Sequence, residues 1–213
     1  MHDARRSFPP APRQPRALVL TAHPKPDSFS HALAGAWADG ATGLEVQQID
    51  VATLAFDPCL HVAYRGDQPL EPDLLRVKQA IAEAAHVVVV FPLWWSSTPA
   101  LLKGLFDRVL LPGWAFSYEN DRPVGGLKGR SARVLVTMDA PTWYDRLLNG
   151  AAGRRQVSRG TLKFCGLSPV RTTAFGSIGS RTPAQLEAML GQARKAGAQD
   201  AAAVLRRLAG EAR

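Results

Sequence analysis

A chain of 213 residues, 46% hydrophobic and 21% charged, is large enough for one globular domain with a full core. It holds no run approaching the ~20 apolar residues of a membrane-spanning helix. Its formal charge of +8 comes with no nucleic-acid recognition motif and no basic–aromatic platform. The charge therefore reads as an arginine-rich solvated surface that can steer phosphate-bearing ligands, and nucleic acid is not an expected partner. Cys59 and Cys165 lie far apart, without a C-x-x-C or a Cys/His cluster of zinc spacing. Neither a disulfide scaffold nor a metal site is expected, and a reducing cytoplasm fits.

Residues 1–15 carry prolines and arginines but no apolar h-region, so they read as a disordered leader and not a secretory signal. Residues 16–213 read as a single domain. A first strand is predicted over 17–21, the core of a helix over 28–37 and a second strand over 45–49. A polar, proline-containing connection (53–71) leads to a helix near 73–84. The third strand is expected over 86–91 and its helix over about 99–110. A Gly/Pro/aromatic loop (112–129) precedes a fourth strand over 133–137. A helix is expected over 158–164 and a fifth strand over 170–175, and Thr182 is expected to cap a last helix reaching about 207. Five strands with helical crossovers predict an α/β fold, a parallel sheet with helices on both faces. The flavodoxin-like order 2-1-3-4-5 places the ligand crevice between strands 1 and 3.

The most informative stretch follows the buried run Val87-Val88-Val89-Val90: Phe91-Pro92-Leu93-Trp94-Trp95-Ser96-Ser97-Thr98-Pro99. At the carboxyl end of a parallel strand, two indoles offer an apolar surface to a planar heterocycle, and turn N–H groups can read its edge. The alternative is that Trp94 and Trp95 fill a core or an interface. The turn after the first strand, from Thr21 to Ser30, contains His23 and the Ser28-Phe29-Ser30 run. With free N–H groups at the start of the helix it forms an anion site, although Ser28 could serve only as an N-cap. A third loop, Thr137-Met138-Asp139-Ala140, adds backbone donors and a hydroxyl, with Asp139 either a ligand contact or a cap. No G-x-G-x-x-G follows the first strand, and no G-x-x-x-x-G-K-[ST] or G-x-S-x-G is present. A Rossmann site, a P-loop NTPase and the usual α/β-hydrolase are thereby set aside. The three loops together describe a site for the phosphate, ring and ring edge of a flavin.

The block His23…Ser28-Phe29-Ser30, Phe91-Pro92-Leu93-Trp94-Trp95, Pro99-Ala100-Leu101-Leu102-Lys103-Gly104, Phe106-Asp107-Arg108-Val109 and Phe116-Ser117-Tyr118 resembles the NAD(P)H:quinone oxidoreductases of the flavodoxin-like superfamily. The resemblance implies tightly bound FMN or FAD, NAD(P)H as co-substrate, and ping-pong two-electron (hydride) reduction of quinones or related electrophiles. It assigns His23, Ser28, Phe29 and Ser30 to the flavin phosphate and Pro92, Leu93, Trp94, Trp95 and Ser96 to the isoalloxazine. Thr137, Met138, Asp139 and Ala140 take the third flavin loop, with Trp95 as wall of the substrate slot. The resemblance also implies a homodimer, with Trp114, Phe116 and Tyr118 facing the partner. Two departures stand out. The third loop reads Thr-Met-Asp-Ala where the better-known members have Thr-Thr-Gly-Gly. Tyr144 lies near the family's catalytic tyrosine, but no histidine occurs beyond His86, so a Tyr–His relay loses its imidazole. Two other roles compete: a flavin- or nucleotide-sensing ancillary subunit of a transport system, and a flavodoxin-type electron carrier, whose usual acidic face this basic chain lacks.

Overall fold

β1 (Arg16–Thr21) and the two strands beside it in space, β3 (Ala84–Pro92) and β6 (Ser131–Thr137), are almost wholly buried. That is the pattern of central strands covered on both faces. The computed structural model describes residues 14–211 except residue 65, so most of the expected leader lies outside the described residues. β2 (Glu45–Asp50) and β7 (Val170–Phe175) form the half-exposed edges. The five strands pair in parallel in the order β2-β1-β3-β6-β7, which is the expected 2-1-3-4-5 when only the strands of this sheet are counted.

Side chains of a strand alternate between faces, and here the alternation feeds two cores. Leu18, Leu20, Val87, Val89, Val134 and Val136 pack with α2 (Pro72–Glu83) and α3 (Ala100–Val109) on one face. Ala17, Val19, Val88, Val90 and Leu135 pack on the other with α1 (Phe29–Gly40) and α6 (Pro183–Glu211). α1 and α6 approach so closely that a Cβ on Gly197 would collide with the Trp37 carbonyl. α6 opens on a capping box: the Gln185 N–H donates to Thr182 Oγ1 (3.3 Å) and the Thr182 N–H to Gln185 Oε1 (3.0 Å). Among the described residues no helix is long and apolar enough to cross a membrane.

Two segments differ from expectation. The 112–129 loop contains a hairpin, β4 (Phe116–Glu119) with β5 (Arg122–Gly125). Asn120 and Asp121 turn it with φ of 50° and 60°, a left-handed conformation these short polar residues tolerate. The helix expected over 158–164 is present but starts earlier: after an additional helix, α4 (Thr142–Leu147), α5 (Ala152–Arg155) runs into a π-helical segment, Gln156–Lys163. Its wider turns show in i→i−5 bonds such as Phe164 N–H to Arg159 O (3.2 Å). Trp114, expected to face a partner, packs against its own core with Lys78 Nζ 5.1 Å above its ring.

Candidate functional site

The sheet register ends β3, β6 and β7 level with one another and β1 two residues short of β3. Thr21 pairs with Val90, Pro92 with Thr137, and Thr137 with Phe175. The loops that leave these ends therefore start side by side at the carboxyl edge.

The first loop turns at Lys25, whose carbonyl accepts the Ser28 N–H (3.1 Å), and enters α1. Ser28 is the N-cap, its Oγ accepting the His31 N–H at 3.4 Å, so the capping role is real. The same Oγ lies 2.9 Å from His31 Nδ1, and His31 Nε2 lies 3.0 Å from Asp50 Oδ2. His31 and Asp50 were not legible as site residues, because β2 and α1 meet only in the folded chain. Ser30 is buried, and its Oγ lies 3.2 Å from Thr137 Oγ1, joining the first loop to the third. Among the described residues the N–H groups of Phe29 and Ser30 meet no backbone acceptor, as expected at a helix start. His23 Nδ1 accepts the Lys25 N–H (3.0 Å), which leaves the proton on Nε2, and the ring stands edge-on to Trp94 at 5.8 Å. Burial, followed by the charges of His31 and Lys25, lowers the His23 pKa from its ordinary value. At pH 7 His23 therefore offers a neutral N–H donor.

The second loop is a tight turn. The Trp94 N–H donates to Ser97 O (3.1 Å) and the Ser97 N–H to Trp94 O (2.8 Å). Between them Trp95 and Ser96 have φ of 51° and 56°. Left-handed backbone costs a non-glycine residue about 1–2 kcal/mol, and such strain clusters at functional sites. The turn is braced from behind. Gly153 of α5 lies where a Cβ would strike the Ser96 carbonyl and the Leu93 side chain, and Ser97 Oγ donates to Gln156 Oε1 (3.4 Å). Trp94 is 43% exposed and Trp95 is 100% exposed, so Trp95 is not a core residue.

The third loop is held by the segment after β7. The Ser177 N–H donates to Ala140 O (3.1 Å) and the Ile178 N–H to Met138 O (3.2 Å). Gly176 passes so near the Ala140 carbonyl that a Cβ would not fit.

The loops enclose a crevice of about 170 Å³. From the first come His23, Ser28, Phe29 and Ser30; from the second Pro92, Leu93 and Trp94; from the third Thr137, Met138 and Asp139. Ile178 completes the lining and was not singled out in the sequence, although it follows the last sheet strand at the same edge. Trp95, Ser96, Ala140 and Tyr144 lie outside the lining. Trp95 and Ser96 form the apex of their turn, Ala140 braces its loop through its carbonyl, and Tyr144 sits on α4 with its ring against Trp143 at 6.0 Å. A larger, open depression of about 800 Å³ is lined by Arg146, Arg154, Arg155, Arg159 and Lys163. It lies over the π-helical segment and the start of β7, away from the strand ends where the three loops converge.

Comparison with known proteins agrees with this architecture. The chain is 27% identical over 197 residues to the NAD(P)H dehydrogenase [quinone] 1 of Rattus norvegicus, spanning 79% of this chain and 71% of the rat protein. It superimposes with a TM-score of 0.72, at 27% identity, on the NAD(P)H:quinone oxidoreductase from Methanothermobacter marburgensis, covering 87% of this chain and 96% of the other. An FMN-dependent NADH-azoreductase from Bacillus anthracis, in complex with FMN, shares the fold at 18% identity and a TM-score of 0.68, over 88% of this chain and 99% of that one. A family model for the flavodoxin-like fold matches residues 15–196, and with most of its length matched the chain belongs to that flavodoxin-like family.

Proposed function

We propose that the protein is a flavin-dependent NAD(P)H oxidoreductase that delivers two electrons to quinones or related electrophiles. The observation that carries the reading is the crevice, where an anion-ready helix start, an aromatic turn and a polar loop meet. The quinone and azo chemistry in the names of its relatives is consistent with it.

The residues suit a flavin in kind and in place. Free N–H groups at Phe29 and Ser30, the hydroxyls of Ser28 and Ser30 and the His23 Nε2–H are donors for a phosphate, aided by the α1 dipole. Pro92, Leu93 and Trp94 give a flat apolar surface. The N–H groups of Trp95 and Ser96, which meet no backbone acceptor among the described residues, and the polar atoms of Thr137 and Asp139 are available to a ring edge. FMN and FAD both satisfy these donors. A bound flavin supplies hydride chemistry between NAD(P)H and acceptor. The chain's own part is to hold the phosphate, to hold negative charge at the ring edge by turn N–H groups, and to keep water off the apolar surface. Trp95 walls a slot that NAD(P)H and acceptor occupy in turn.

Titration of the purified protein with FMN and with FAD tests the reading: it predicts a yellow protein binding one flavin per chain. A colourless protein that takes up neither would sink it.

Trp95→Ala separates slot wall from scaffold. The indole is wholly exposed, so the variant keeps its thermal midpoint and its flavin. It loses about 0.5–1.5 kcal/mol of transition-state binding, read as a several-fold drop in kcat/KM with acceptor. Unchanged kcat/KM in the folded variant would remove Trp95 from the slot.

The protein acts as a homodimer in the cytoplasm, where Cys59 and Cys165, both free, stay reduced. Besides Trp95, the side chains of Trp143, Leu147 and Leu148 (59%, 72% and 65% exposed) and Tyr118 (64%) offer apolar surface to a partner subunit. Light scattering at micromolar concentration is expected to give a dimer. A monomer with full reductase activity would place the whole slot within one chain.

A further inference from the structure

The connection between β2 and α2 contains a side-chain cluster that plays no part in the flavin reading. A carboxylate oxygen of Asp57, the Sγ of Cys59 and an imidazole nitrogen of His61 all lie within 4.8 Å of one another. Their spacing, i, i+2 and i+4, resembles no familiar zinc motif. The chain turns back on itself here: Asp57 Oδ1 accepts the Cys59 N–H (2.8 Å) and the Ala63 N–H donates to Leu60 O (3.2 Å), which brings the three donors together.

The backbone that carries them is held firmly. Gln68 clamps the segment from both directions: its Oε1 accepts the His61 N–H (2.9 Å) and its Nε2 donates to the Cys59 carbonyl (3.0 Å). Beneath Asp57 lies the buried Arg108 guanidinium, which donates to the Asp57 carbonyl, to the Pro69 carbonyl (2.9 Å) and to both carboxylate oxygens of Glu71 (3.1 and 2.8 Å). Pro58 packs against α3 at Gly104, where a Cβ would collide with it. The three donors thus project from a segment tied to the core, while their own side chains face solvent.

The chemistry of the set is mixed. Asp57 Oδ1 accepts the Cys59 N–H (2.8 Å) and Asp57 Oδ2 lies 2.7 Å from His61 Nε2. A hydrogen between Asp57 and His61 occupies the place a cation would take. Thiolate, imidazole and carboxylate together suit the borderline-soft divalent ions, zinc foremost, and poorly suit calcium or magnesium, which prefer all-oxygen shells. Three protein ligands with solvent access leave a fourth tetrahedral position for water.

We propose that Asp57, Cys59 and His61 form a zinc(II) site on the β2–α2 connection, independent of the flavin crevice. On binding, the Cys59 thiol gives up its proton to solvent, the His61 nitrogen turns its lone pair to the metal, and no redox step is involved.

The full-length protein, carrying whatever cofactor it is purified with and first stripped of metal by chelation, is titrated with ZnCl2 by calorimetry and with CoCl2 by absorption. The expected result is one zinc per chain, with a thiolate-to-cobalt charge-transfer band and the strong visible bands of four-coordinate cobalt. Cys59→Ser abolishes the charge-transfer band, and His61→Ala weakens zinc binding by about 100-fold or more. Gln68→Ala, which only loosens the segment, weakens it about 10–100-fold. Circular dichroism confirms that each variant is folded. Absence of zinc binding in the wild-type protein, or binding that survives in the folded Cys59→Ser/His61→Ala double variant, overturns the site. Flavin titration of the same samples reads the crevice separately, so the failure of one reading leaves the other standing.

Discussion

Asp200→Asn lowers the stability of the fold by about 3–5 kcal/mol, the loss expected when one member of a buried ion pair is removed and its partner stays behind. Asp200 lies buried on α6 and is the hub of a polar cluster against the sheet. It accepts the Trp37 indole N–H (3.1 Å), the Arg133 guanidinium through Nη2 (2.9 Å) and Nε, and Arg171 Nη1 (3.1 Å), while His86 Nε2 stands 3.4 Å away. Arg133 in turn donates to Thr173 Oγ1 (3.0 Å). Neutralising the hub leaves the Arg133 guanidinium buried without a counter-charge. Urea unfolding measures the effect. A loss below about 1 kcal/mol, the size typical of exposed pairs, would mean that the cluster is effectively solvated. His86 pairs with Ser131 near the amino ends of β3 and β6, away from the crevice, so the folded variant retains its flavin affinity.

The same residue shapes the acid response. Burial pushes the Asp200 carboxyl upward, but the neighbouring His86 imidazole and the Arg133 guanidinium bonded to it outweigh burial and hold the carboxyl far below its usual range. In the native state the group therefore releases its proton more readily than in the unfolded chain, whose Asp titrates near ~4. Its contribution is complete above that value and is lost as pH falls toward the native one. Wild-type stability thus declines in acid below about pH 4, whereas Asp200→Asn has a shallower acid limb.

Removing the two serine hydroxyls of the first loop has the largest expected effect on ligand binding. Each bond to a charged phosphate is worth about 1.5–3 kcal/mol, so Ser28→Ala/Ser30→Ala weakens flavin binding steeply, though free N–H groups at the helix start retain part of the affinity. The fold allows the two positions to be told apart. Ser28 caps α1, so its replacement alone also costs about 0.5–2 kcal/mol of stability. Ser30 caps nothing and meets Thr137 across the crevice floor, so Ser30→Ala reduces affinity with little change in unfolding. Calorimetric titration of flavin into apoprotein, paired with urea curves, resolves both. An affinity for the double variant within a factor of about two of wild type would leave the serines as scaffold only.

What could be read in advance was local. Four consecutive valines at 87–90 announce a buried strand, the prolines at 24, 26, 92 and 99 mark where helix cannot run, and Thr182 announces the start of α6. The loops at the carboxyl ends of the first, third and fourth sheet strands could therefore be named as one crevice before any coordinates. The hairpin at 116–125 escaped because its turn is Asn120-Asp121, not a glycine pair. The early start of the helix expected over 158–164 escaped because its π-helical turns have a period that neither strand nor α-helix templates follow.

Sequence by itself determined the order of elements and the chemistry of each loop, since periodicity and turn propensity act over a few residues. Only the tertiary structure decided which polar groups would meet. Trp37 and Asp200 are 163 positions apart, Ser30 and Thr137 are 107 apart, and His31 finds Asp50 only because β2 lies at the sheet edge next to β1. It also decided that Trp95 stands in solvent on a left-handed turn. Nothing in the dipeptide Trp94-Trp95 sets that conformation; the close approach of Gly153 and the bond from Ser97 to Gln156 hold it, and both come from a helix more than 50 residues downstream.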